Sequence, residues 1–150
     1  MMAESTPSTT LAQRWSALGL LHDRIDAHVG RELEKKHELS VREFSLLEVL
    51  SRQHNGDGGH LQMAQVADAV ALSQSATTRL VSRLEDRGLL ERYLCPTDRR
   101  GIYTDVTAAG KTLLKQARPT NSRALREALQ EASDEAELAP FVRAVRESGR

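Results

Sequence analysis

The chain has 150 residues, which is enough for one hydrophobic core, and only 3% of them are aromatic, so the core must be built mainly from aliphatic side chains. A formal net charge of zero excludes a molecule that is basic overall, so any binding to nucleic acid requires local arrangement of arginine. A single cysteine excludes an internal disulfide, no apolar run is long enough to cross a membrane, and the first ten residues lack a secretory signal, so we expect a soluble, cytoplasmic protein.

A long amphipathic helix is predicted over about residues 9–37. Its apolar residues recur at steps of three or four, which places them along one face: Leu11, Trp15, Leu18, Leu21, Ile25, Val29 and Leu33. A helix of this length needs a surface to lie against. It is either an arm packed on its own domain or an arm for dimerisation, and bundle packing favours the second interpretation.

Two shorter helices follow. Ser40 and Glu43 have the spacing of a capping box and open a helix through about Arg52. Residues 54–60 are rich in glycine and predict a loop. A second helix is expected over residues 62–70, followed by a turn at Ala71 and Leu72.

The next helix has a polar outer face. Ser73 is a candidate N-cap, Gly88 a candidate C-terminal stop, and the inward stripe is predicted to be Ala76, Leu80, Val81 and Leu84. The outward residues are polar and mostly short: Gln74, Ser75, Thr77, Thr78, Arg79, Ser82 and Arg83. In the major groove, Gln can pair with adenine, Arg with guanine or phosphate, and Ser or Thr with either, while Ser73 and the free N–H groups behind it could hold a phosphate. The alternative is an ordinary solvated face, but such faces usually mix Glu and Lys, and this one has neither before Glu85.

A β-hairpin is predicted after this helix, with strands at 89–94 and 102–106 and a turn at 96–101. Arg99 and Arg100 at its tip can enter a minor groove or contact phosphates, with Asp98 aligning one of them through a bidentate pair. The alternative is a polar turn with a local ion pair. Residues 73–104 carry six arginines against four acids, so one copy should bind DNA weakly, which favours a dimer.

Helices close the chain. Thr107 caps a helix from about Ala108, which Pro119 is expected to break or kink before it continues to about Glu131. Ser133 or Asp134 is expected to cap the last helix, although Pro140 favours a later start. The residues expected to face inward are Leu113, Leu114, Ala117, Leu138, Phe141, Val142 and Val145.

Other candidate sites are weaker. Cys95 lies near arginines that could lower its thiol pKa, but a structural cysteine is the favoured interpretation. His22 and Asp26 are one helical turn apart and fit a solvated face better than a metal site. Trp15 and His22 lie on one side of the first helix and are candidates for a ligand pocket. We expect no metal, no cofactor and no catalytic group.

The stretches ADAVALSQSATTRLVSRLEDRGLLER and PTDRRGIYTDVTAAGKTLL resemble the MarR family of winged helix-turn-helix regulators. The resemblance covers nearly the whole chain. It implies a mainly α fold with a small β-wing, as one domain over 1–150. The winged helix-turn-helix lobe would span about 40–107, and dimerisation helices would span about 9–37 and 108–148.

The resemblance also implies a function. It implies a homodimer that binds double-stranded DNA at a pseudo-palindromic operator, most often as a repressor, and releases it when a phenolic or lipophilic acid binds between the arms and the lobe. By position, Arg79 matches a DNA-contacting arginine, Arg99 or Arg100 the wing-tip arginine, and Asp98 the acid that orients it. The chain departs from the pattern in its longer 54–60 loop, and it lacks the first-helix cysteine of the members that sense oxidants.

Two other function classes are alternatives. A winged-helix module that binds a protein partner and no DNA is supported only by the neutral charge. An enzyme is the least favoured class, because no activated nucleophile, carboxylate pair or phosphate-binding loop stands out.

Overall fold

The computed structural model describes residues 10–53, 61–95 and 98–149, and confirms a mainly helical fold with a small two-stranded sheet. The predicted loop at 54–60 lies outside the described residues. The elements in chain order are α1 (Leu11–His37), α2 (Val41–Ser51), α3 (Met63–Val70), α4 (Gln74–Asp86), β1 (Leu90–Cys95), β2 (Asp98–Val106), α5 (Ala108–Ala132) and α6 (Ala139–Glu147).

Local side-chain caps explain where the helices begin. The capping box of α2 is confirmed: Ser40 Oγ accepts a hydrogen bond from Glu43 N at 3.1 Å, and Glu43 Oε1 accepts one from Ser40 N at 2.9 Å. Ser73 caps α4 and Thr107 caps α5 through their side-chain oxygens, as predicted. Gly88 follows α4 with φ of +74°, a left-handed conformation that glycine adopts without strain.

Two apolar clusters hold the fold together. The larger cluster joins the C-terminal half of α1 to α2, α3, α4, the base of the sheet and the first half of α5. A smaller cluster forms where α1, α5 and α6 meet, and consists of Leu21, Leu129, Ala132, Leu138 and Val142. Helices α1 and α5 pack against each other and connect the two clusters.

The buried residues of the apolar stripe of α1 begin only at Leu21. Leu21, Val29 and Leu33 are buried, whereas Leu11 is 77% exposed and Trp15 is 74% exposed. Leu18 and Leu20 are exposed as well. The start of α1 therefore presents apolar side chains that the described residues of the chain leave exposed.

Several predicted boundaries are wrong. Helix α5 runs unbroken through Pro119, which is exposed, while its neighbours Ala117 and Thr120 are buried and keep this turn packed on the core. Helix α6 begins only at Ala139, because Pro140 suits the first turn, where no N–H bond is needed.

Two further predictions need correction in the sheet and in α6. The turn expected over 96–101 is shorter, since β2 already begins at Asp98. Val145, expected to face inward, is 49% exposed.

Candidate nucleic-acid interface

Helices α3 and α4 form a helix-turn-helix. Ala71, just after α3, has φ of 56°, and this left-handed residue turns the chain sharply towards α4. Ser73 Oγ then accepts a hydrogen bond from Ala76 N at 3.1 Å. The two helices pack through Val66 and Val70 of α3 and the buried face of α4, so the outer face of α4 is held in a fixed orientation.

The outer face of α4 is polar, as the sequence predicted. Gln74, Ser75, Thr78, Arg79 and Arg83 are exposed, and Ser82 is half-buried. The hydroxyls of Thr78 and Ser82 donate to carbonyls one turn earlier, at 2.9 and 3.1 Å. Thr78 Oγ1 can still accept a hydrogen bond from a ligand, whereas Ser82 Oγ already accepts one from Arg92 Nη2 at 3.5 Å.

Thr77 does not belong to this face, and its prediction as an outward residue is wrong. Its side chain is fully buried, and Thr77 Oγ1 donates to the Ser73 carbonyl oxygen at 2.9 Å. Thr77 forms one inward stripe with Leu80, Val81 and Leu84, whereas Ala76 is only half-buried. A buried threonine can occupy a core position because the helix backbone satisfies its hydroxyl.

Ion pairs remove several charges from this part of the surface. Arg87 Nη1 donates to the Glu38 carbonyl oxygen at 2.8 Å and lies 3.4 Å from Glu43 Oε2. Arg92 Nε lies 2.7 Å from Glu85 Oε1 in the last turn of α4, where Asp86 is exposed. Glu43 and Glu85 are therefore already neutralised.

Arg79 and Arg83 behave differently. Within the described parts of the chain, neither has a hydrogen-bond or ion-pair partner, and both are exposed. A concave surface beside α4 is lined by these two side chains and by Arg42, whose Nη1 donates to the Val70 carbonyl oxygen at 3.1 Å. The local excess of positive charge that the sequence suggested is thus concentrated on one side of α4.

The wing is anchored at its base. Strands β1 and β2 are antiparallel, with Leu90 opposite Val106, and the rings of Tyr93 and Tyr103 lie 5.9 Å apart. Thr107 Oγ1 donates to the Gly88 carbonyl oxygen at 2.7 Å and ties α5 to the end of α4.

At the tip, Cys95 is opposite Asp98 across an irregular step. The side chains of Cys95, Asp98, Arg99 and Arg100 lie outside the described part, so their predicted roles stay predictions.

Sequence reasoning missed Gln53, which is 2% exposed and bonded to three backbone groups. A polar residue directly after a helix gives no signal of burial. Its bonds to Leu61 and Thr104 join segments that are separate in the sequence.

The remaining candidates on α1 are exposed. His22 Nε2 lies 3.7 Å from Asp26 Oδ2, and the described residues contain no group of three or more metal-ligating side chains. Trp15 and His22 point into solvent rather than into a closed pocket. A groove between α1 and α6 is lined by residues that include Ala17, Leu20 and Phe141.

No helix of the described residues is both long and apolar enough to span a membrane.

Comparison with known proteins shows which family the chain belongs to. Residues 37–101 match a sequence model of the MarR family. The HTH-type transcriptional regulator MhqR of Bacillus subtilis (strain 168) is 32% identical over 111 residues, which are 74% of this chain and 72% of MhqR.

Solved structures of regulators have a similar fold. CouR from Rhodococcus jostii RHA1, bound to p-coumaroyl-CoA, has a TM-score of 0.66 and 29% identity, covering 78% of this chain and 79% of CouR. Sco3205, a MarR family transcriptional regulator from Streptomyces coelicolor in complex with DNA, shares the fold with a TM-score of 0.69 and 23% identity, covering 94% of this chain and 93% of Sco3205. With its helix-turn-helix, its wing and these relatives, the chain belongs to the MarR family of winged helix-turn-helix transcriptional regulators.

Proposed function

We propose that this protein is a homodimeric repressor that reads a pseudo-palindromic operator with one α4 helix in each half-site. The observation that carries the proposal is the outer face of α4: it has two exposed arginines without a described partner, and Glu85 at the end of the helix is paired with Arg92. The residues proposed to contact DNA are Ser73, Gln74, Ser75, Thr78, Arg79, Ser82 and Arg83 on α4, with Asp98, Arg99 and Arg100 at the wing.

The two arginines of α4 are suited to different tasks. Arg79 lies in the middle of α4 and can reach a base edge, where a bidentate contact to guanine discriminates by about 1–3 kcal/mol. Arg83 lies one turn further along the helix, where a phosphate contact is the simpler role. A phosphate contact adds affinity for every sequence, and salt weakens it.

Dimerisation is supported by the exposed half of α1. Leu11 and Trp15 are largely exposed in the single chain, and a second copy could cover them. Two copies would also double the phosphate contacts, which matters for a chain with no net charge.

A small acidic effector is part of the proposal. CouR, one of the similar proteins of known structure, is bound to p-coumaroyl-CoA. We propose that a phenolic or lipophilic acid binds near α1, with Trp15 and His22 as candidate contacts, and weakens DNA binding. We place the protein in the cytoplasm and assign it no catalytic activity.

The test is fluorescence anisotropy on two labelled duplexes, one of random sequence and one selected by the wild-type protein from a random pool. Arg79→Ala should cost on the order of 1–3 kcal/mol on the selected duplex and much less on the random one. Arg83→Ala should weaken both and reduce the salt slope by about one. Arg31→Ala, which removes an exposed arginine from α1, is the matched control and should change neither.

The outcomes separate the two remaining function classes. Unchanged affinity in both α4 variants would mean that the binding surface lies elsewhere. If the wild-type protein binds no duplex, or binds with no salt dependence, the neutral net charge favours a module that docks on a protein instead.

A further inference from the structure

Gln53 is a buried polar side chain whose amide nitrogen and oxygen both have hydrogen-bond partners. It lies two residues after the end of α2, and its Nε2 donates to the Thr104 carbonyl oxygen at 2.7 Å and to the Leu50 carbonyl oxygen at 3.3 Å. Its Oε1 accepts a hydrogen bond from Leu61 N at 3.0 Å. The side chain is 2% exposed, so these bonds are shielded from water.

The partners also determine which residue type can stand here. Two carbonyl oxygens require a donor at one end of the side chain, and an N–H group requires an acceptor at the other. A glutamine amide offers both. A glutamate of the same length, when ionised, would set its carboxylate against two carbonyl oxygens, and a methionine would leave all three backbone groups without this partner.

The three bonds connect parts of the DNA-binding lobe that are distant in sequence. They join strand β2 of the wing to the end of α2 and to Leu61, which leads into α3. On its other side, the wing is joined to α4 by the Arg92–Glu85 pair. That pair is partly exposed and is screened by salt, whereas the Gln53 bonds are not.

We propose that Gln53 is a positioning residue for DNA binding: it holds the wing at a fixed angle to the helix-turn-helix, so that α4 and the wing tip meet the same duplex together. This rests on the proposed function, because it assumes that the wing contacts DNA. The residue acts through the backbone of Thr104 and touches no DNA itself.

The first measurement tests the holding role without DNA. Hydrogen exchange of the β1 and β2 amides should become faster by about tenfold or more in Gln53→Met, because the variant loses a buried hydrogen-bonded anchor that stabilises the closed wing. Exchange in the middle of α4 should stay unchanged. Gln116→Met, at an exposed glutamine of α5, is the control for the same side-chain change. Unchanged exchange in the wing would overturn the proposal even if the protein binds no DNA.

The second measurement tests the consequence for binding. On the selected duplex, Gln53→Met should weaken binding by on the order of tenfold in the wild-type background. In a background that carries both Arg99→Ala and Arg100→Ala, it should weaken binding by less than about twofold, because a wing without its arginines makes few DNA contacts that depend on its position. Equal losses in both backgrounds would show a general structural defect and overturn the positioning role. Gln53→Glu, which keeps the length of the side chain, should behave like Gln53→Met. If the wild-type protein itself selects no duplex, the proposed function fails, and the exchange result still decides whether Gln53 holds the wing.

Discussion

Gly110 offers the sharpest test of how the wing is attached to the rest of the protein. The residue lies in the first turn of α5, where its N–H donates to Thr107 Oγ1 at 3.0 Å. A Cβ at this position would lie 2.2 Å from the Leu89 carbonyl oxygen and 2.7 Å from Val106 Cγ1. Alanine therefore cannot fit unless α5 moves away from the base of the wing.

The magnitude follows from the size of that movement. Normal contact with a carbonyl oxygen needs a separation larger by about 1 Å, and the obstructing atom belongs to the backbone, so overpacking should cost about 1–3 kcal/mol. Alanine is a better helix former than glycine by about 0.5–1 kcal/mol, which offsets part of this cost. We expect Gly110→Ala to lower the free energy of unfolding by about 1–2 kcal/mol net.

The assay is urea unfolding followed by circular dichroism at one protein concentration. Gly30→Ala is the matched control, because a Cβ there would meet only Val41 Cγ2, at an ordinary 3.6 Å. This control should be as stable as the wild type or more so. If Gly110→Ala is also as stable as the wild type, the close approach of α5 to Leu89 does not constrain this position, and the reasoning is wrong.

Two further predictions concern residues whose exposure differs from what a pattern alone suggests. Thr77→Val should leave affinity for the selected duplex within about twofold and lower the free energy of unfolding by about 1 kcal/mol or less, because the buried hydroxyl contacts only the helix backbone. A loss of binding comparable to that of Arg79→Ala would contradict the burial of Thr77. Trp15, the only tryptophan, should emit at longer wavelength on dilution as dimers separate, and Trp15→Ala should raise the dimer dissociation constant in sedimentation equilibrium by at least about tenfold. A Trp15→Ala protein that associates like the wild type would place the dimer contact elsewhere.

The sequence predicted best what depends on neighbouring residues. Ser40, Ser73 and Thr107 cap their helices as expected, because an N-cap bond reaches only a few residues along the chain. The polar face of α4 was also visible, since exposed residues keep the helical spacing. These local signals were enough to place the helix-turn-helix and the wing in the right order.

What was missed depends on tertiary contacts. The sequence alone does not place Thr77 correctly, because Ala76 and Thr77 both fit the spacing to Leu80 and polarity favours Ala76 as the buried residue. The sequence alone also suggests a break at Pro119, but α5 continues through it because the neighbouring Ala117 and Thr120 pack on the core. The Arg92–Glu85 pair and the Gln53 bonds link separate elements, so the sequence could not show which arginines stay free.

If the exposed apolar side chains at the start of α1 form the proposed dimer contact, control of transcription depends on protein abundance. If only the dimer can occupy an operator, then well below the dimer dissociation constant a twofold fall in chain concentration lowers the amount of dimer about fourfold. The response of a regulated gene to dilution at cell division would then be steeper than a monomeric repressor could give. Leu11 and Trp15 would then help to set the protein concentration at which the operator becomes occupied, although neither is proposed to touch DNA.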